Sequence, residues 1–311
     1  MRQWFIATII CLLGVGLFAL PFICGSEQQQ TKAEGPIEPK TRILRIGLIP
    51  EQNIFAQKKR YEPLMAYLGK ELGVSIEIRM LPRYGDVIEK FQELGLDGAF
   101  FGSFTGALAV AKLGLQPLAR PEHMDGTSTY YGLVFAKKGR GLGNAAELRG
   151  KRMVFVDRAT TAGYLLPLAY FRSLGIQDYR SWFAEYYFSG THENAIKDVL
   201  DGYADIGAAK NTVFDRIAAG NPRFTSELGI LATSPQVPSN ALSVRSDLDG
   251  DLILSLKKEL LAMHQSRGGR AVLAAMQMRR FVETRSEDYQ TVRDYAHGIE
   301  LDLAAYNYLD Q

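Results

Sequence analysis

The chain has 311 residues, of which 47% are hydrophobic and 23% are charged, and its formal net charge is +2. This length suits two domains, and this composition is ordinary for a folded globular protein, so extensive disorder is excluded. Because 36 basic residues face 34 acidic ones, the charge gives no basis for a nucleic acid or an acidic membrane surface as a partner.

The first 24 residues have the pattern of an export signal. Arg2 is followed by an apolar run, from Trp4 to Cys24, that carries no charge. The run is roughly 20 residues long, enough to cross a bilayer if it is not cleaved. We therefore expect residues 1–24 to be a signal peptide, a lipoprotein signal or an anchor. We expect the rest of the chain to be periplasmic or otherwise extracytoplasmic and to meet the membrane only through this segment.

Both cysteines, Cys11 and Cys24, fall inside that segment. The rest of the chain therefore has no disulfide, no Cys-ligated zinc and no cysteine nucleophile. Cys24 resembles the acylated cysteine of bacterial lipoproteins, but residues 21–23 lack the small side chains expected before it. Lipidation, ordinary cleavage and an uncleaved anchor all remain open. Residues 25–41, rich in Gln, Glu, Lys and Pro, predict a flexible tether.

From residue 42 onward, short apolar runs alternate with amphipathic stretches, which predicts α/β lobes with parallel sheets. The predicted strands are 43–49, 74–81, 98–101, 152–156, 184–188, 205–208 and 229–232. The predicted helices are 58–72, 84–94, 102–113, 161–174, 192–200 and 211–219, with three further helical stretches after residue 249.

Two segments, 129–136 and 232–244, are candidates for crossings between lobes. We therefore predict a first lobe from 42–131 plus 240–311 and a second lobe from 132–239. Two lobes joined by a hinge of two segments enclose a cleft in which a ligand can bind.

Three strand-to-helix junctions in the second half carry hydrogen-bond donors and no carboxylate at the helix start. They contain Thr160 and Thr161, then His192, then Lys210 and Asn211. Ligands of open α/β sheets bind beyond the carboxyl ends of the strands, where helix starts offer N–H groups and partial positive charge. The three junctions together therefore predict an anion site, although each residue alone also fits a helix cap, a solvated histidine or a rim charge.

The first half offers fewer candidates. Ser103 follows a predicted strand, and Tyr130 and Tyr131 lie in a predicted crossing, where strand packing is the simpler interpretation. No nucleotide-binding loop, nucleophile elbow or zinc-protease motif is present, and the four histidines are far apart in the sequence. No cofactor or metal is therefore expected.

Residues 43–298 resemble the phosphate, phosphite and phosphonate substrate-binding proteins of ABC transporters, which have the type II periplasmic binding fold. The most specific segments are VDRATTAGYLLPLAYF and SGTHENAIKDVLDGYADIGAA. Further support comes from LRGKRMVFVD, RYGDVIEKF and EDYQTVRDYAHGI.

The resemblance implies an oxyanion-binding turn at Thr160, Thr161 and Ala162, joined by His192 and by Tyr131. The chain departs from the family pattern at Ala162, where a third hydroxyl is missing, and at 102–106, where a cleft tyrosine is missing. Lys210 lies where the family often has an acidic residue that meets the amino group of an aminophosphonate. Phosphate, phosphite or a simple alkylphosphonate is therefore the expected ligand.

The resemblance thus implies an exported solute-binding protein that captures a phosphate-like oxyanion and delivers it to a membrane permease. It implies no enzymatic activity. Two alternatives remain from the sequence: a ligand-sensing subunit of a membrane kinase, and an exported enzyme on the same fold, for which Asp157 and His192 are the candidate bases.

Overall fold

The computed structural model describes residues 42–308. The predicted export segment, the tether and Cys24 lie outside the described residues. Within 42–308, no helix has both the length and the apolar character needed to cross a membrane.

The strands of the described chain form two main sheets and one short ribbon. In chain order they are β1 Ile43–Leu48, β2 Ser75–Met80, β3 Gly98–Phe101, β4 Gln116–His123, β5 Thr129–Tyr130, β6 Gly132–Lys137, β7 Arg152–Phe155, β8 Glu185–Phe188, β9 Ile206–Lys210, β10 Leu228–Thr233, β11 Val237–Pro238, β12 Ala241–Val244 and β13 Met278–Glu283.

The helices follow most of these strands and pack on the sheets. They are α1 Ile54–Leu72, α2 Asp86–Glu89, α3 Ser103–Leu113, α4 Ala145–Leu148, α5 Leu166–Ser173, α6 Tyr179–Trp182, α7 His192–Asp201, α8 Asn211–Gly220, α9 Arg223–Glu227, α10 Gly250–Ala262, α11 Arg267–Ala275 and α12 Gln290–Gly298. A π-helical turn, Thr161–Leu165, precedes α5 directly.

The six-stranded sheet has the order β13-β4-β12-β3-β1-β2, and the five-stranded sheet has the order β10-β6-β9-β7-β8. We call the part built on the first sheet the first lobe and the part built on the second sheet the second lobe. The chain passes between the sheets twice, and the two passing segments pair antiparallel as β5 and β11. The predicted α/β class is confirmed by this mixture of sheets and covering helices.

The expectation of parallel sheets is correct only for part of each sheet. β1 runs parallel to β2 and β3, and β7 runs parallel to β8 and β9. By contrast, β12 is antiparallel to both of its neighbours, and so is β6. β6 and β12 each follow a crossing directly, and a chain that comes from the other lobe enters its sheet from the opposite end. β13, which is antiparallel to β4, is not next to a crossing.

Several element predictions differ from the structure. The predicted helix 84–94 contains only the single helical turn α2, followed by successive turns, although its apolar positions up to Phe91 are buried as the helical period requires. β4 and β13 were not predicted, because Pro117 and Pro121 interrupt the strand pattern of β4 and charged residues interrupt that of β13. Helix α1 begins four residues earlier than predicted, where the side chain of Asn53 accepts from two backbone N–H groups.

The turn after β7 approaches its own strand very closely at Gly163. The backbone N–H of Val156 donates to the carbonyl of Gly163 at 3.1 Å. A Cβ atom at residue 163 would lie 2.4 Å from the Cβ of Val156 and 2.7 Å from the hydroxyl of Thr160. Only glycine therefore fits between the strand and the turn.

We expect Gly163→Ala to destabilise the protein by about 1–3 kcal/mol, because the added methyl group overlaps backbone-anchored atoms that cannot move away. Urea unfolding followed by circular dichroism measures the change. Gly220→Ala is the matched control, since nothing lies within 4 Å of a Cβ at that position. Equal stability of the Gly163→Ala variant and the wild type would contradict the close packing of the turn.

Candidate functional site

The three predicted junctions lie side by side at one edge of the second sheet. β7 lies between β8 and β9, and all three strands end at the same edge. Thr160, Thr161, His192, Lys210 and Asn211 follow or end these strands, and all five are buried. The structure thus brings the predicted second-lobe residues together, facing the first lobe across the space that we call the cleft.

The hydroxyls of the turn after β7 already have protein partners. Thr160 donates its hydroxyl proton to the carbonyl of Asp157 at 2.6 Å. The hydroxyl of Thr161 accepts from the backbone N–H of Phe104, at the start of α3, at 2.8 Å. Ala162 is buried beside Gly132. Thr161 therefore links the second lobe to a helix start of the first lobe.

The wall opposite this turn is formed by Ser103 and Tyr130. Ser103 is fully buried and donates to the carbonyl of Pro238 at 2.6 Å, with the hydroxyl of Tyr130 at 3.1 Å. Burial raises the pKa of Tyr130, while hydrogen bonds from Ser103 and Thr161 oppose that change. Three hydroxyls from three segments therefore meet at this point.

Tyr131 has a different environment from its neighbour Tyr130. Its backbone N–H donates to Oδ1 of Asn211 at 3.0 Å, and its carbonyl accepts from the N–H of Asn211 at 3.1 Å. Its ring packs against the hydrophobic core. Asn211 therefore joins α8 to the crossing segment, and the phenol that meets Ser103 belongs to Tyr130.

His192 has one nitrogen engaged and is neutral. Its Nδ1 accepts from the backbone N–H of Lys210 at 3.3 Å. Burial lowers the pKa of His192 to about 3. The negative charge of Glu51 opposes this change, and the positive charge of Lys210 adds to it. The sequence allowed a protonated histidine that donates from both nitrogens. The structure instead leaves only Nε2–H as a donor, because Nδ1 must be unprotonated to accept.

Tyr84 is a cleft residue that the sequence interpretation missed. It is only 2% exposed, its hydroxyl has no hydrogen-bond partner among residues 42–308, and its ring meets His192 edge-on at 5.9 Å. Burial raises the pKa of Tyr84 well above its usual value, and the negative charges of Glu51 and Asp157 add smaller increases. The motif RYGDVIEKF contains Tyr84, but the residue was taken as the start of a helix.

Glu51 is the second missed residue, and it pairs with Lys210 across the cleft. The Nζ of Lys210 lies 2.8 Å from Oε1 of Glu51 and 2.8 Å from Oδ1 of Asn240. Burial favours a higher pKa for Glu51, but the charge and hydrogen bond of Lys210 lower it to about 2. Burial lowers the pKa of Lys210, and Glu51 opposes that change. Lys210 is thus a buried counter-charge to Glu51 and not an exposed rim charge.

Further contacts cross between the lobes beside this ion pair. Arg216 donates to Gln52, and the backbone N–H of Asn53 donates to Oε2 of Glu193 at 3.2 Å. All of these first-lobe residues belong to the loop between β1 and α1. That loop therefore faces the starts of α7 and α8 directly.

Other features of the described chain lie outside the cleft. A cavity of about 460 Å³ is lined by Tyr164, Arg180 and Tyr306, and none of the predicted site residues line it. Between residues 42 and 308 there is no group of three His, Cys, Asp or Glu side chains that is arranged to hold a metal ion.

Known proteins resemble this chain along most of its length. The probable ABC transporter phosphite binding protein PhnD1 of Prochlorococcus marinus is 22% identical over 284 residues, which is 88% of this chain and 95% of that protein. The phosphate-import protein PhnD of Mycolicibacterium smegmatis is 29% identical over 212 residues, which is 65% of this chain and 64% of that protein.

A solved structure of Prochlorococcus marinus PhnD1 in complex with methylphosphonate shares the fold. Its TM-score is 0.73 at 22% identity, with 82% of this chain and 97% of that chain covered. The chain therefore has the two-lobed type II periplasmic binding fold. The family model for the periplasmic phosphonate substrate-binding protein of ABC transporters matches residues 46–289. Because this match spans most of the sequence, the chain belongs to the family of periplasmic phosphonate-binding proteins of ABC transporters.

Proposed function

We propose that this protein captures a small phosphorus oxyanion between its lobes and delivers it to a membrane permease. Phosphate, phosphite and short alkylphosphonates are the proposed ligands. The relatives support this choice, because they are named for phosphite binding and phosphate import, and one is solved with methylphosphonate.

The observation that carries the proposal is the buried hydroxyl of Tyr84, which has no partner among residues 42–308 and whose ring meets the ring of His192 edge-on. A buried hydroxyl without a partner costs free energy unless a bound group satisfies it. Helix starts at α3, α7 and α8 converge on the same cleft, and their dipoles favour an anion there. Since Lys210 is neutralised by Glu51, the anion is held by uncharged donors.

The proposed cycle is capture, closure and release. An anion first meets the turn at Thr160, Thr161 and Ala162 on the second lobe. The first lobe then closes by bending at β5 and β11, which brings Phe104 and Tyr84 to the ligand. The closed form docks on a permease, and a cytoplasmic ATPase supplies the energy for transport.

We further propose that the chain performs no covalent chemistry and is exported. The carboxylate of Asp157 accepts from the N–H of Ala159 at 2.8 Å, and Nδ1 of His192 is engaged by Lys210. Among residues 42–308, neither candidate base is hydrogen-bonded to a nucleophile. Residues 1–24 direct export in this proposal, and residues 25–41 tether the lobes to a membrane through Cys24 or through the uncleaved segment.

We expect Thr161→Val to weaken methylphosphonate binding at least about tenfold, or ~1.4 kcal/mol, because the variant loses the hydroxyl that accepts from the backbone N–H of Phe104 and so joins the turn to α3 when the lobes are closed. Isothermal titration calorimetry measures the affinity. Thr161→Ser is the matched control, since it keeps the hydroxyl and should bind nearly as well as the wild type. Unchanged affinity in the valine variant would remove the turn from the site.

We expect Tyr84→Phe to weaken ligand binding about tenfold and to leave unfolding free energy within about 0.5 kcal/mol of the wild type or slightly above it. Since the hydroxyl has no partner among residues 42–308, its removal affects ligand affinity and not the stability of the fold. Calorimetry and urea unfolding of the same preparation separate the two effects. A clear loss of stability without a loss of affinity would show that the hydroxyl has a structural role instead.

We expect the unfolding free energy to fall with decreasing pH between about 6.5 and 4. His192 is neutral in the folded protein and protonated when unfolded, so stability changes by up to about 1.4 kcal/mol per pH unit. His192→Asn, which keeps an acceptor near Lys210, should reduce this slope in urea titrations. A residual slope is expected from His123, whose pKa burial also lowers. An unchanged slope in the variant would mean that His192 is charged in the fold.

A further inference from the structure

The ammonium group of Lys210 is surrounded by three protein groups that each bind ammonium ions. It lies 2.8 Å from a carboxylate oxygen of Glu51, 2.8 Å from the amide oxygen of Asn240 and 4.3 Å from the centroid of the Tyr130 ring. A lysine ammonium has three N–H donors, and carboxylates, amide oxygens and aromatic faces are all favourable partners for it. We call Glu51, Asn240 and Tyr130 the ammonium cage.

The segments that carry the cage groups have contacts of their own besides those with Lys210. The backbone N–H of Glu51 donates to Oε1 of Gln57 at 3.1 Å, which fixes the loop against α1. The hydroxyl of Tyr130 is hydrogen-bonded to the hydroxyl of Ser103 at 3.1 Å. Asn240 directly precedes β12, between two strands of the first sheet. Lys210, by contrast, enters the cage from the end of β9 in the second sheet.

The cage adjoins the proposed anion site. The ring of Tyr130 has the ammonium of Lys210 over its face, while its hydroxyl lies beside Ser103 and Thr161. The backbone of Lys210 is bonded to His192. The cage and the anion-binding turn are therefore separated by about one tyrosine ring, the distance that a short carbon chain between an oxyanion and an amine would span.

We infer that Lys210 determines ligand specificity by occupying this cage with its own ammonium group. This inference rests on the proposed function. Because the carboxylate, the amide oxygen and the ring face are all in use, the amino group of a zwitterionic aminoalkylphosphonate finds none of these three groups free. The protein therefore binds oxyanions without an amino group. Removal of the lysine side chain exposes a cage that fits a primary ammonium ion.

The first test compares phosphonate ligands that differ only in whether their carbon chain ends in a charged amino group. Full-length wild type and Lys210→Ala are titrated calorimetrically with ω-aminoalkylphosphonates of one to three methylenes and with the n-alkylphosphonates of matching length. We expect Lys210→Ala to prefer at least one amino ligand over its matched alkyl ligand by at least about tenfold, and the wild type to show no such preference. Equal gains for both series would mean that Lys210 only fills space, and no gain would also overturn the inference.

The second test does not depend on phosphonate binding. Methylammonium chloride should raise the melting temperature of Lys210→Ala above that in equal sodium chloride, because the ion binds the vacated cage of the folded state. Methylammonium chloride should have no such effect on the wild type or on the double variant Glu51→Gln/Lys210→Ala. If the single variant does not fold, its refolding yield with and without methylammonium is measured instead.

The two tests fail in distinguishable ways. If the wild type binds no phosphorus oxyanion while methylammonium stabilises Lys210→Ala, the proposed function is wrong and the cage is real. If the wild type binds methylphosphonate while methylammonium has no effect on the melting or the refolding of Lys210→Ala, the proposed function stands and the cage is wrong.

Discussion

The ion pair between Glu51 and Lys210 is the constraint on which the arrangement of the cleft depends. The two residues belong to different lobes, and both side chains are almost completely buried, at 12% and 8% exposed. A buried charge without a partner is strongly unfavourable, whereas a buried pair roughly repays its own desolvation. The pair therefore adds little net stability to closure. Its consequence is geometric, because only one position of the lobes brings the carboxylate, Asn240 and the ring of Tyr130 around the ammonium group.

This charge balance decides what kind of donors face a ligand. With Lys210 neutralised and His192 held neutral, the cleft offers hydroxyls, one imidazole N–H and helix starts. Such uncharged donors can bind an anion without placing a second charge in the closed cleft, where that charge would be buried and would need a partner even without a ligand. Burial is the main cause of the lowered pKa of His192, and Lys210 adds to it, since its backbone N–H occupies Nδ1 and its ammonium group disfavours a second positive charge nearby.

The sequence predicted the part of this site that depends on local patterns. Thr160, His192 and Lys210 each follow a strand, and neighbouring strands that end at one edge must bring such residues together. Glu51 and Lys210 are 159 positions apart, and no local pattern connects them. Tyr84 was missed for a related reason: its periodicity with Val87 and Phe91 indicates a buried face, but an unpartnered hydroxyl becomes visible only when its neighbours from both lobes are in place. β4 and β13 were missed because prolines and charged residues interrupt their strand patterns, whereas the pairing that makes them strands joins distant parts of the sequence.

The lack of a third hydroxyl at Ala162 is best understood from the packing around that residue. The methyl group is buried next to Gly132, where a side chain on residue 132 would meet it at van der Waals distance. A serine at this position would therefore need an acceptor of its own in a tightly packed region. The hydroxyls of Thr160 and Thr161 already have protein partners, so the turn presents mainly its backbone N–H groups to the cleft. Recognition then depends on the exact position of the backbone, and that position is fixed by the close approach of Gly163 to Val156.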